Sequence, residues 1–208
     1  MTVQRLDPVE LRVLGCLIEK QRTTPEQYPL TLNSLRLACN QATNRDPVLQ
    51  LDESEVRHAA QSLGTKGYAR LATGPGSRTA KYRQLFQEAV DLMPAEVSIL
   101  AVLMLRGPQT VAELKTRTER LATIDDVPAV LERLDTKELV HNVGKGPGQS
   151  AERWMHLLAE GPTGAGPTQE PDEAVAAGEP TSLERRLARV EERLDELERE
   201  LAQRGVLD

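Results

Sequence analysis

The chain repeats itself, and that repetition limits its possible folds more than any other feature. Pro94-Ala95-Glu96-Val97, with Leu100, Leu103 and Met104 behind it, matches Pro8-Val9-Glu10-Leu11 with Leu14, Leu17 and Ile18 at a constant offset of 86 (94 − 8). Thr110 to Leu114 aligns with Thr31 to Leu35 as a second capped helix start. Val127 to Lys137 matches Val56 to Lys66 at an offset of 71 (127 − 56), and Gly146-Pro147-Gly148 matches Gly74-Pro75-Gly76 at 72 (146 − 74). Trp154 stands where the first copy has Tyr82. Two copies of one supersecondary unit follow from this self-similarity, and the shrinking offset gives the first copy the longer loops.

The unit is clearest between Asp52 and Arg83. Asp52 with Glu55 makes a capping box, and Val56, Ala59, Ala60 and Leu63 recur at helical spacing to give one apolar face. Gly67 stops the helix. Tyr68 to Leu71 and Thr79 to Arg83 are strand candidates joined by Gly74-Pro75-Gly76-Ser77, whose glycines allow the chain to reverse at positive φ. Upstream, Asp7-Pro8-Val9-Glu10 opens a helix with a cap and a proline in its first turn, and Leu11, Leu14, Leu17 and Ile18 form its apolar stripe. Thr31 caps a second helix carrying Leu32, Leu35 and Ala38, with one short strand possible before it. Asn40 to Pro47, NQATNRDP, is a polar turn. Helix, helix, helix, strand, glycine loop, strand is the order of a winged helix-turn-helix.

Composition adds boundaries. Hydrophobic residues make up 39% of the chain and only five are Phe, Trp or Tyr, so the cores are packed from aliphatic side chains. No apolar run approaches the roughly 20 residues that span a bilayer, and MTVQRLDPVE lacks the apolar centre of a signal peptide, so a cytoplasmic protein is expected. Cys16 and Cys39 are too few and too far apart for a disulfide framework or a CxxC metal site, and their flanks suggest small buried hydrophobes. The formal net charge of −6 is unevenly spread: 12 basic against 10 acidic residues over 1–91, 8 against 9 over 92–158, and 6 against 13 over 159–208. From Ala159 to Pro180 the chain is dominated by Gly, Pro, Ala, Thr and Glu, a composition that cannot bury enough apolar surface to fold. Thr181 then caps a helix in which Leu183, Leu187, Val190, Leu194, Leu197 and Leu201 alternate spacings of four and three, an a/d heptad seam. The expected architecture is mainly α with small β-wings (α+β): winged helix-turn-helix domains at 1–91 and 92–158, a flexible linker at 159–180 and a coiled-coil helix at 181–208.

Several longer stretches, Thr24 to Asn33, Ala38 to Gln41 followed by Asn44 to Val48, Gly76-Ser77-Arg78 with Ala80-Lys81-Tyr82, and Leu105 to Thr110 leading into Glu113 to Arg120, closely resemble the bacterial YceH-like family. The resemblance covers residues 6 to about 158 and implies a tandem winged-helix fold. It implies a fold rather than a reaction.

With Val56, Ala60 and Leu63 inward, the third helix turns Arg57, His58, Gln61, Ser62 and Thr65 outward, side chains able to donate and accept at base edges. The wing adds Arg70, Arg78, Lys81 and Arg83 for phosphates. At the equivalent positions of the second copy stand Pro128, Ala129 and Glu132, which cannot replace them. Asn40, Gln41, Asn44 and Arg45 form a second candidate surface on the turn NQATNRDP, against the plainer reading of a helix C-cap and Asx-turn chemistry. The three histidines, His58, His141 and His156, show no ligand spacing, and neither glycine loop has the order of a P-loop. No cofactor, metal or enzymatic activity is expected. The leading reading is a DNA-binding transcriptional regulator that dimerises through residues 183–201, and the alternative is a protein-interaction adaptor built on the same scaffold.

Overall fold

Asp7 opens α1 (Pro8–Thr23). Its carboxylate accepts from the backbone N–H groups of Val9 and Glu10 at 2.7 and 2.8 Å, while Glu10 Oε2 accepts from the Asp7 N–H at 2.8 Å. The box satisfies N–H groups that have no partner inside the helix. The computed structural model describes residues 3–72, 80–146 and 151–159. The glycine loop at 74–77, Arg78, the linker from residue 160 and the heptad helix lie outside the described residues. Every described residue belongs to one of the two compact units into which the chain divides.

A 3-10 turn (Pro25–Gln27) and the two-residue strand β1 (Leu30–Thr31) lead into α2 (Leu32–Cys39), which Thr31 caps through its hydroxyl. Then come α3 (Glu53–Thr65), with the Asp52–Glu55 capping box, and the strands β2 (Ala69–Ala72) and β3 (Lys81–Gln84). Gly67 at φ +78° reverses the chain between α3 and β2, a conformation only glycine adopts at no steric cost. Both strands start a residue or two later than their composition suggests. The sheet order is β1-β3-β2, all antiparallel, with Leu30 and Leu71 both opposite Tyr82.

A short helix α4 (Phe86–Ala89) joins the halves, and Phe86 packs edge-on to Tyr68 with ring centroids 5.0 Å apart. The second half runs α5 (Pro94–Arg106), α6 (Val111–Thr118), α7 (Val127–Thr136), β4 (Val140–Gly144) and β5 (Arg153–His156). Thr110 and Glu113 repeat the capping box, and β4 pairs antiparallel with β5. A bridge between Gln109 and Trp154 reproduces the pairing of Leu30 with Tyr82 in the first half. Seven α-helices and two small antiparallel sheets among the described residues make a mixed α+β fold.

The duplication extends to an ion pair made by a buried glutamate. Glu10 Oε2 accepts from Lys66 Nζ at 2.6 Å, and the same amine donates to the Arg5 carbonyl at 2.9 Å. In the second half Glu96 Oε2 accepts from Lys137 Nζ at 2.9 Å, and that amine donates to the Asp91 carbonyl at 3.1 Å. Each pair ties the N-terminus of a first helix to the C-terminus of a third. Burial works against the charge of Glu10, but hydrogen bonds from Lys66 and Ser62 hold its carboxyl below the usual range.

The halves meet through α1 and α5. A helix with one solvated side would bury only its stripe of Leu11, Leu14, Leu17 and Ile18. Here every residue from Glu10 to Glu19 is buried, and so is every residue from Glu96 to Leu105. Gly15 permits the approach: a Cβ there would lie 2.9 Å from the side chain of Leu105. The termini of the body also pair, since the Leu6 N–H donates to the Leu158 carbonyl at 2.8 Å and Leu6 bridges Ala159. Ala159, by composition the first linker residue, is therefore engaged with the body.

Candidate nucleic-acid interface

The apolar face of α3 buries Val56, Ala59, Ala60 and Leu63. Arg57, His58 and Gln61 consequently point to solvent, with Arg57 ion-paired one turn back to Glu53. Strand alternation does the same for the wing. Ala69 faces Gln84 and Leu71 faces Tyr82 on the side that turns inward at Gln84 and Tyr82, which leaves Arg70 opposite Arg83 and Lys81 beside Ala72 and Thr31 on the outer side. Arg70, Lys81 and Arg83 thus share one sheet face. Like charges directly opposite one another oppose strand pairing, and on this face Glu88 offsets part of the charge by holding Arg83 at 3.0 Å. Arg78 lies outside the described residues.

The second half offers no equivalent. On α7, Pro128 and Glu132 are exposed and Ala129 is half-buried. Asp135 and Glu138, with Arg133 and Lys137 among them, complete a surface of mixed charge on which three acids, Glu132 included, face two bases.

The turn after α2 corrects the expectation of an exposed polar cluster. Arg45 is buried, because its guanidinium forms a double hydrogen bond to Glu19 on α1, at 2.6 and 3.3 Å, and donates to the carbonyls of Ala38 and Asn44 at 3.0 and 2.8 Å. Gln41 accepts from Arg45 at 2.9 Å. Asn40 reads the backbone of Leu51 in both directions: its amide donates to the Leu51 carbonyl at 2.7 Å and its carbonyl accepts from the Leu51 N–H at 2.9 Å. Asn44, at φ +62°, accepts from Arg106 at the end of α5. Arg120, after α6, reaches Glu19 as well. The turn is a polar clasp between the halves, and Glu19 is its centre. Burial works against the Glu19 charge, but the hydrogen bond and charge of Arg45, with Arg120 and Lys20 beyond, hold its carboxyl below the usual range.

Sequence reasoning missed the Glu19–Arg45–Arg120 cluster because its members are 26 and 101 residues apart. It also missed that Arg12 on α1 donates to the Cys39 carbonyl at 3.0 Å. The paired positions Glu10–Lys66 and Glu96–Lys137 carried a signal in the sequence, since both fall at the offsets of the repeat.

The described body is thus a duplicated α+β protein with one basic sheet face in its first half. A family model described as "Protein of unknown function, DUF480" matches residues 6–149. The UPF0502 protein of Geotalea daltonii is 49% identical over 174 residues, 81% of this chain and 79% of that protein. That of Geobacter sulfurreducens is 50% identical over 162 residues, 76% and 74% of the two chains. That of Pseudomonas syringae pv. tomato is 42% identical over 207 residues, 93% and 92%. The chain belongs to the DUF480 family of UPF0502 proteins, in agreement with its YceH-like motifs. Among the described residues no helix is long and apolar enough to cross a membrane.

Proposed function

We propose that this protein binds duplex DNA without catalysing a reaction, as a transcriptional regulator, and that each half is a winged-helix unit of which only the first touches DNA. The observation that carries the reading is the clustering of Arg70, Lys81 and Arg83 on the outer face of the β1-β3-β2 sheet, directly after a helix that exposes Arg57, His58 and Gln61. In the proposed complex α3 lies in the major groove, where Arg57 and Gln61 offer donors and acceptors to base edges. The sheet cations meet phosphates and release counterions, which relieves the mutual repulsion of Arg70 and Arg83. The heptad seam at 183–201 pairs two chains, so the preferred site has two half-sites.

Fluorescence anisotropy with random duplex DNA, at low and near-physiological salt, tests the reading. Binding is expected to fall steeply with salt, and Arg70→Ala with Lys81→Ala is expected to weaken it on every sequence and flatten the salt slope by about two phosphate contacts. No binding at low salt refutes it. The surface around α7, with three acids against two bases, favours a second reading in that event, a protein-binding adaptor, and pull-downs with and without residues 159–208 then identify the part that holds the partner.

A further inference from the structure

A cavity of about 310 Å³ opens between the halves, at the small end of the roughly 300–1,000 Å³ that ligand sites occupy. Leu11 on α1 and Leu49 form its wall in the first half, and Leu103 on α5 and Met155 on β5 form it in the second. Arg12, Arg106 and His156 interrupt this apolar lining, and Asp46 is the one acid beside them among the described residues. Arg12 is 3% exposed. Its Nη1 donates to the Cys39 carbonyl at 3.0 Å and its Nη2 to the Pro47 carbonyl at 2.6 Å; Pro47 lines the cavity too, so the guanidinium lies at the wall. Both partners are neutral, and Nε has none among the described residues. Buried charges are normally paired. Here the buried carboxylate of Glu19 is engaged by Arg45 and Arg120, and Asp46 is exposed to water.

His156 is 6% exposed, and its Nδ1 accepts from the Leu158 N–H at 3.3 Å. Burial keeps the ring neutral, so the proton sits on Nε2, a donor without a partner among the described residues. Arg106 is half-buried at the end of α5; burial works against its charge, and so do Arg117 and Arg120. An apolar wall thus carries excess positive charge and an idle N–H.

We propose that this cavity binds a small organic carboxylate with an aliphatic body, a medium-chain fatty acid, whose carboxylate sits between Arg12 and His156. A guanidinium has five N–H donors and Arg12 spends two on carbonyls, so it retains donors for an anion. The ligand's chain lies against Leu11, Leu49, Leu103 and Met155. Inorganic phosphate would leave that wall uncovered, and a neutral hydrocarbon would leave Arg12 without a counter-charge. The small volume sets the ligand at the size of octanoate rather than of a membrane lipid. Because its walls come from both halves, the bound molecule bridges them. The inference concerns a small-molecule site and stands whether or not the protein binds DNA.

Isothermal titration calorimetry of the full chain with sodium octanoate tests it, with 1-octanol as the uncharged probe. Octanoate is expected to saturate at one molecule per chain and to raise the thermal midpoint as its concentration rises. Octanol should bind at least about tenfold more weakly, since it cannot pair the guanidinium. Heats that do not saturate, or equal affinity for the two probes, overturn the proposal. Leu49→Trp fills the cavity from its half-buried wall and should abolish binding of both. His156→Phe keeps a ring but removes the donor; it should weaken octanoate about tenfold and leave octanol unchanged. Octanoate binding at wild-type strength in either variant overturns the placement of the ligand. The wild-type titrations with the two probes decide the main point even where a variant fails to fold.

Discussion

Removing the Glu19 carboxylate should nearly unfold this protein, whereas removing one of its two arginine partners should pass almost unnoticed. The Glu19 side chain is 2% exposed, that of Arg45 is fully buried and that of Arg120 is 46% exposed. Glu19→Ala leaves the Arg45 guanidinium desolvated with carbonyls and an amide as its remaining partners, a cost of about 3–5 kcal/mol. That is a large part of the roughly 5–15 kcal/mol by which a domain is stable. Arg120→Ala removes a half-solvated pair worth at most about 1 kcal/mol. Arg45→Met should fall between, because Glu19 keeps Arg120 and Lys20 nearby. The double variant Glu19→Leu with Arg45→Met removes both buried charges and should recover most of the loss, since well-packed apolar replacements of buried pairs are often neutral or stabilising. Urea unfolding followed by circular dichroism gives the midpoints and slopes that convert to these differences. Equal losses for Glu19→Ala and Arg120→Ala, or no recovery in the double variant, would refute the reasoning that burial decides the value of this cluster.

Other outcomes follow from the same structure. Burial, with His141 adjacent, lowers the His156 imidazole to about 4 from its ordinary 6.5, so the folded chain holds it neutral. As pH falls below about 6.5 the unfolded chain takes the proton first, and stability should drop by roughly 3 kcal/mol by about pH 4; His156→Gln should remove the slope between pH 6.5 and 5 in urea titrations. The depressed carboxyls of Glu10, Glu19 and Glu113 lose their contribution only at lower pH, as they protonate through their folded values. Gly15→Ala gains about 1 kcal/mol of helix propensity but forces a methyl against Leu105, costing about 1–3 kcal/mol, so thermal melts should show a net loss that Leu105→Val partly reverses. Lys66→Met strands the buried Glu10 and should cost about 3 kcal/mol in urea, while Lys137→Met should cost about 1 kcal/mol, because Glu96 retains Arg133 at 3.6 Å.

The caps of α1, α2, α3 and α6 were readable in the chain because each depends on a side chain and a backbone N–H three residues apart, whatever surrounds them. The repeat was readable for a related reason: two copies of a unit carry the same apolar spacing and the same stop signals, so they align residue against residue along the chain. The outward set of α3 followed from its period except for Ser62, which is half-buried and turns to Glu10, and the outer face of the wing followed from strand alternation. Register was not available in that way, and it is register that sets Arg70 against Arg83. The apolar stripe of α1 described one buried face, but α5 covers the other, and no local pattern distinguishes a helix buried on one side from a central helix between two half-cores. Arg45 shows the limit most plainly. As sequence it is a cation in a polar turn, and it becomes a buried tie only because Glu19, on a helix well upstream in the chain, faces the same gap. Hydrogen bonds within a turn are set by neighbours along the chain, whereas the partner of a buried charge is set by how the helices pack.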